Sequence, residues 1–188
     1  NLKLNFKVMK TILKEMADDL RDKMEKQDDR VKIEYRERGE YEAHLQFAGD
    51  ILIFQMPSNV FQFDPSNSLW KTSYLGENAN RGFCGIINIY NFLADSFKYN
   101  RVHDSGYMIA RIFLNAENHF MVQGKRQLGF IYNDFINMTM SKDYMEKVIE
   151  SAILYTLDFD LYTPPYDRVQ EVSVQQINSV ADNQHLKT

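Results

Sequence analysis

The sequence predicts an α+β domain with a single antiparallel sheet of about seven strands and three helices, in the order α-β4-α-β3-α. Residues 3–26 and 142–157 repeat apolar side chains at three- and four-residue steps, which is the spacing of an amphipathic helix. Between them, short runs alternate apolar and polar residues and are separated by turns, which indicates antiparallel strands. Strands and helices that come in blocks favour one sheet with the helices packed on one face.

The composition is that of one globular domain. The chain has 188 residues, of which 44% are hydrophobic and 26% are charged. We expect residues 1–163 to form the α+β domain and residues 164–188 to be an extended C-terminal arm or tail, because Pro164-Pro165 ends any helix and the residues after it are polar. The formal net charge is −4 without a basic block, so we expect no duplex nucleic acid as partner.

Cysteine and histidine usage predicts neither a disulfide framework nor a metal site. Cys84 is the single cysteine, and the four histidines lie far apart without a ligand spacing. No nucleotide-binding motif is present, and we expect no cofactor. The lack of paired cysteines favours a reducing, cytoplasmic location. The longest apolar runs are too short to cross a membrane, so we expect no membrane partner.

The first helix, predicted over residues 3–26, has an apolar face that includes Met16 and Leu20. We expect this face to be buried against the sheet. The charged residues on the other side, including Lys10, are predicted to form a solvated surface.

Four strands are predicted over residues 31–63. Two alternating runs around Gly39 form a hairpin whose wet face would carry Glu42, His44 and Gln46. The nearly continuous apolar run 51–56 indicates a central strand, and a short fourth strand follows near Val60.

The second half is predicted to contain a helix, three strands and a last helix. Residues 83–98 share a helical face formed by Ile86, Ile89, Tyr90, Leu93 and Phe97. Strands are expected over residues 107–114, 120–123 and 127–132. Ser141 is an N-cap for the helix predicted over residues 142–157. The inner face of this helix consists of Met145, Val148, Ile149, Ala152, Ile153 and Leu157.

Cys84 is the sharpest chemical signal in the sequence. It lies between two glycines at the start of the helix predicted over residues 83–98, where the helix dipole would stabilise a thiolate. A Gly-flanked cysteine that begins a helix, followed by His119 at the start of an apolar strand, resembles the papain-like cysteine peptidases. The resemblance implies Cys84 as nucleophile, His119 as base, and Asn133 or Asp134 as the orienting group. A buried, inert thiol is the other interpretation of Cys84.

Two further functional hypotheses remain open, of which the first is the principal one and has the thiol-dependent hydrolase as its alternative. The first is a non-catalytic binding or assembly module, homodimeric or with a protein partner, because the supply of aromatic and Met residues exceeds what the predicted core needs. The second is a small-ligand pocket between the sheet and the helix predicted at 83–98, closed by the irregular segment 64–82. Its candidate ligand-binding residues are Trp70, Tyr74, His103 and Arg111, although the pattern around His103-Asp104 favours a turn over a functional pair.

Overall fold

The computed structural model describes residues 1–24, 31–158 and 171–185. One antiparallel sheet has the strand order β1-β2-β3-β5-β6-β7, with β4 pairing β5 and β8 pairing β6. The strands are β1 Ile33–Glu37, β2 Glu42–Phe47, β3 Asp50–Gln55, β4 Val60–Gln62, β5 Phe83–Leu93, β6 Ser105–Asn115, β7 Phe120–Gly124 and β8 Glu171–Ser173. The α-helices are α1 Leu2–Met24, α2 Ser73–Glu77, α3 Ala94–Lys98, α4 Gln127–Ile131, α5 Lys142–Asp158 and α6 Val174–His185. The predicted α+β class with a single antiparallel sheet is therefore confirmed.

The two long helices cover one face of the sheet, which we call the first face. α1 is buried through Phe6, Met9, Ile12, Leu13 and Ala17. Met16 and Leu20, which were expected inside, are half-buried at the rim of this core. α5 begins after Ser141, whose Oγ accepts a hydrogen bond from the Tyr144 amide at 3.2 Å, as the sequence predicts. Its predicted inner face is buried except for Leu157, which is exposed.

The opposite side of the sheet, the second face, carries two smaller clusters. Ile51 and Ile53 alternate along β3 with first-face residues and pack with Tyr90, Phe92, Val174 and Ile177. At the other end of the sheet, Cys84 packs with Phe63, Phe113 and Phe135. Both faces of the central strands are thus covered by apolar side chains.

The prediction of a helix over residues 83–98 is wrong. Residues 83–93 form β5, a central strand bonded to β3, β4 and β6, and only Ala94–Lys98 is helical. Because both sides of β5 are covered, apolar residues occupy its inward and outward positions alike, and the alternation that marks a half-exposed strand is lost. The β-branched Ile86, Ile87 and Ile89 suit such a strand.

Two segments of the C-terminal half also differ from the prediction. Residues 127–131, expected as part of a strand, form α4, whose inward Leu128 and following Tyr132 are buried at a helical spacing of four. Residues 171–185, expected within an extended arm, form β8 and α6, and Val174 and Ile177 anchor them to the second face. The predicted boundary near residue 163, Pro164-Pro165 and the last two residues of the predicted first helix lie outside the described residues.

Among the described residues, none of the helices combines the length and the apolar content that a membrane crossing requires.

Candidate binding cavity

A cavity of about 500 Å³ lies on the first face, where the N-terminal turn of α1 meets the connection between β3 and β4, the start of β4 and the beginning of β5. Its walls are mainly apolar and include Leu2, Met56, Val60, Phe83 and Leu114. Pockets that bind small molecules have volumes of roughly 300–1,000 Å³ and are lined mostly by apolar side chains with a few polar groups. The size and lining of the cavity are therefore those of a ligand site.

An interruption between β3 and β4 forms the space. Gln55 pairs with Asn88, but the next paired residue, Val60, lies opposite Gly85, so the β3–β4 chain carries two more residues than β5 over this interval. Pro57 lies in the interruption, and proline has no amide hydrogen for a ladder bond. The pairing of β2 with β3 ends at Glu42 and Gln55. β2 therefore does not extend alongside β4, and the cavity occupies the side of β4 that β2 leaves uncovered.

Gly85 leaves room for the Leu2 side chain of α1 to lie directly on the strand. A Cβ atom added at Gly85 would collide with a terminal methyl group of Leu2, so a larger residue there would displace this side chain. Leu2 therefore forms a wall of the cavity directly above the strand.

Two large apolar side chains are exposed at the mouth of the cavity. Val60 is 70% exposed and Phe83 is 42% exposed, and both line the cavity. Single exposed apolar residues are ordinary, but a group of them that borders an apolar cavity is typical of an interaction site.

Lys3 supplies a charge at the edge of the cavity. Its Nζ donates hydrogen bonds to the Tyr41 hydroxyl at 2.7 Å and to Glu40 Oε1 at 3.3 Å. These bonds, with that to Tyr41 the larger influence, raise the pKa of the Lys3 ammonium group. Lys3 therefore stays protonated at neutral pH.

The structure does not place Cys84 as a nucleophile. Its side chain is 1% exposed within the aromatic cluster of the second face, and burial raises the pKa of the thiol to about 12. Cys84 lies in β5, so the helix N-terminus that would have stabilised a thiolate is absent at this position. Burial of this kind blocks access and disfavours the reactive thiolate.

His119 and Asp134, the other two members of the candidate catalytic set, have structural partners. His119 lies at the same end of the sheet as Cys84, but its Nδ1 bonds the Phe135 carbonyl at 3.1 Å and its ring stacks on Tyr74. Asp134 accepts hydrogen bonds from the side chain and amide of Asn137, which lower the pKa of its carboxyl group. Within the described part of the chain, no hydrogen bond joins the Cys84 sulfur to His119 or His119 to Asp134.

The four predicted ligand-binding residues are not gathered in one site. Trp70 and Tyr74 pack against the aromatic cluster near the Asn115 end of β6, whereas His103 is exposed in the turn before Ser105, the first residue of that strand. The ends of an eleven-residue strand are about 33 Å apart. Arg111 lies between them, with Asn88 and Gln123 as its strand partners.

Tyr74 belongs to a network that fastens the segment 64–82 to the β6–β7 hairpin. Its hydroxyl donates to Glu117 Oε2 at 3.0 Å and accepts from Asn115 Nδ2 at 2.9 Å. Arg81 donates to Glu117 Oε1 at 2.9 Å and lies over the Tyr74 ring. These contacts explain why this irregular segment packs against the sheet end instead of closing a pocket.

Sequence reasoning missed a buried polar group on the second face. Glu42 is 1% exposed and His44 is 7% exposed, although both were expected on a wet face. The Glu42 carboxylate contacts His44 Nε2 at 2.7 Å and accepts from Gln55 Nε2 at 3.1 Å. His44 also lines a groove of about 800 Å³, whose basic residues are Lys32, Arg36, Arg38, Lys98 and Arg101 and whose acidic residues are Glu34, Glu37, Asp50 and Asp95. Charges of both signs are mixed in this groove and nearly balance, so it favours no single ligand class.

No group of three or more His, Cys, Asp or Glu side chains in the described ranges is arranged to hold a metal ion.

The chain was compared with known proteins at the levels of family, sequence and fold. No protein-family model matches it, and neither a curated protein nor a solved structure shows significant similarity to it.

Proposed function

We propose that this chain is a non-catalytic binding module and that its ligand occupies the cavity between α1, β4 and β5. The observation that carries the proposal is the apolar cavity of about 500 Å³ whose mouth is formed by exposed Val60 and Phe83. Burying apolar surface provides roughly 25 cal/mol per Å², so a ligand that covers these side chains gains affinity without a catalytic group.

The proposal is tested by titrating the folded protein with Nile red, a neutral apolar dye whose fluorescence rises in apolar surroundings. Val60→Glu adds a charge at the mouth, which a neutral dye would have to desolvate on binding. We expect the dissociation constant for Nile red to increase at least tenfold. Tyr99→Glu is the matched control, because Tyr99 is 57% exposed and follows α3 at the far end of β5. Equal dye binding by wild type and both variants would refute the cavity as the site.

We also infer that the module forms a homodimer, a proposal that a separate surface supports. α4 and α5 contact each other and carry four exposed large apolar side chains, Phe130, Ile131, Leu154 and Leu157. Large apolar and aromatic residues are enriched in the buried centres of protein interfaces. A second copy of the chain is the partner we propose for this surface, which we call the α4–α5 surface.

A cytoplasmic location is proposed on chemical grounds. Cys84 is a single free thiol, so no disulfide within the chain stabilises the fold. Proteins of oxidising compartments commonly use paired cysteines for that purpose.

A further inference from the structure

A second pocket adjoins the binding cavity along α1. It has a volume of about 290 Å³ and is lined by Lys3, Leu4, Lys7, Lys10, Glu40 and Met56. Lys3 and Met56 also line the binding cavity. The apolar cavity and this lysine pocket are therefore neighbouring parts of one site, with Lys3 at the junction.

The lysine pocket concentrates positive charge. Residues 3, 7 and 10 follow one another at helical spacing, so the three ammonium groups lie on one side of α1. Glu40 is the one acidic residue among those that line the pocket, and it pairs with Lys3 at 3.3 Å. Lys7 is exposed and makes no side-chain hydrogen bond or ion pair with the residues that the structure describes. This excess of positive charge occurs in a chain whose formal net charge is −4.

Lys10 shows that the pocket is a built feature of the fold. The residue is 8% exposed, and its Nζ donates to the Gly39 carbonyl at 2.7 Å and contacts Glu37 Oε2 at 3.4 Å. Lysines are almost never fully buried unless they are paired, because removing an ammonium group from water is costly. The β1–β2 turn thus holds a cation at the base of the pocket.

We propose that the ligand is a single-chain amphiphile with an anionic head, such as a free fatty acid. Its hydrocarbon chain occupies the cavity beside Leu2, Val60 and Phe83, and its carboxylate lies in the lysine pocket between Lys3 and Lys7. A carboxylate bound there forms charge-assisted hydrogen bonds, which are stronger than neutral ones. This inference rests on the proposed binding function, because it assumes that the cavity is occupied.

The test compares decanoate with decanol, which have the same chain length and differ in head-group charge. Both are titrated calorimetrically into the wild-type protein below the micellar concentration. We expect decanoate to bind at least tenfold more tightly than decanol. In Lys7→Glu, decanoate binding should fall to the level of decanol, while decanol binding stays unchanged. Lys23→Glu, on the same helix but outside the pocket, changes the net charge equally and should behave as wild type.

The outcomes separate the inference from the function on which it rests. Equal binding of decanoate and decanol would overturn the anionic head group and leave the proposed binding function in place. Binding of neither ligand would overturn both. Binding to anionic phosphatidylglycerol vesicles without binding of monomeric decanoate would also overturn the inference, because the lysines would then recognise a lipid surface. Thermal unfolding followed by circular dichroism confirms that each variant is folded before titration.

Discussion

At the scale of single residues, the environment of Cys84 depends on parts of the chain that are distant in sequence. Its flanking glycines and the apolar residues after it match a helix start, and this local pattern suggested a reactive thiol. The side chains that bury the thiol, Phe63, Phe113 and Phe135, come from three other segments. The general tendency of free cysteines to be buried indicates the observed burial of Cys84. No local spacing reveals the cluster itself, so the residues that bury the thiol could not be predicted from the sequence.

The reactivity of Cys84 follows from this burial. We expect the native protein to react with iodoacetamide far more slowly than the urea-unfolded chain at about pH 8.5, where an ordinary thiol is half ionised. The reason is that burial raises the pKa of the thiol to about 12 and blocks access to the sulfur. Alkylation is measured by mass spectrometry. A fast reaction of the native protein that His119→Ala abolishes would instead support the peptidase-like hypothesis.

Glu42 and His44 were predicted to be exposed on a wet face of the sheet, and both are buried. Their alternation with Ala43 and Leu45 indicates correctly that they share a face of β2, but it does not tell whether that face is wet. Burial here depends on partners from other elements: Gln55 on β3, Arg38 after β1, and Asn178 on α6, which accepts from Arg38 at 2.6 Å. Because the C-terminal helix α6 was not predicted from the sequence, the burial of the Glu42 carboxylate was not predicted either.

At the scale of elements, periodicity predicted α1 and α5, because each of these helices has one buried face and one exposed face. Alternating or continuous apolar runs bounded by turns predicted most of the strands. Periodicity failed at β5, where both faces are covered and the apolar positions coincide with a helical stripe. It also failed at α4 and α6, which are anchored by few apolar residues. The cavity could not be predicted, because it arises from a break between β3 and β4 and from the packing of the Leu2 side chain over Gly85.

The packing of α1 gives a stability prediction with an internal control. Leu13 is completely buried against the first face, so Leu13→Ala should lower the free energy of unfolding by about 2–5 kcal/mol. Leu4 on the same helix is 64% exposed, and Leu4→Ala should change the free energy of unfolding by less than about 0.5 kcal/mol. Urea unfolding followed by circular dichroism measures both. A loss at Leu13 no larger than that at Leu4 would mean that α1 does not pack on the sheet in solution.

At the scale of the whole molecule, the α4–α5 surface determines the proposed oligomeric state. Light scattering after size-exclusion chromatography should give twice the 22.2 kDa mass of one chain. Leu154→Glu would place a charge within the proposed interface, which is costly without a partner, and should yield the monomer mass. Val60→Glu, which is equally charged but lies at the cavity mouth, should remain dimeric. A monomeric wild-type protein would exclude the dimer.

Occupancy of the cavity is tested most directly by methyl NMR spectroscopy of the protein during titration with Nile red. The methyl groups of Leu2, Met56, Val60 and Leu114 line the cavity, whereas Leu154 and Leu157 lie exposed on α5. An aromatic dye shifts the resonances of methyl groups close to its rings. If the cavity is the binding site, the four cavity signals shift together and saturate with one dye molecule per chain, while the α5 signals stay in place. Shifts confined to α5, or no saturable shift of the cavity signals, would contradict the proposed binding site.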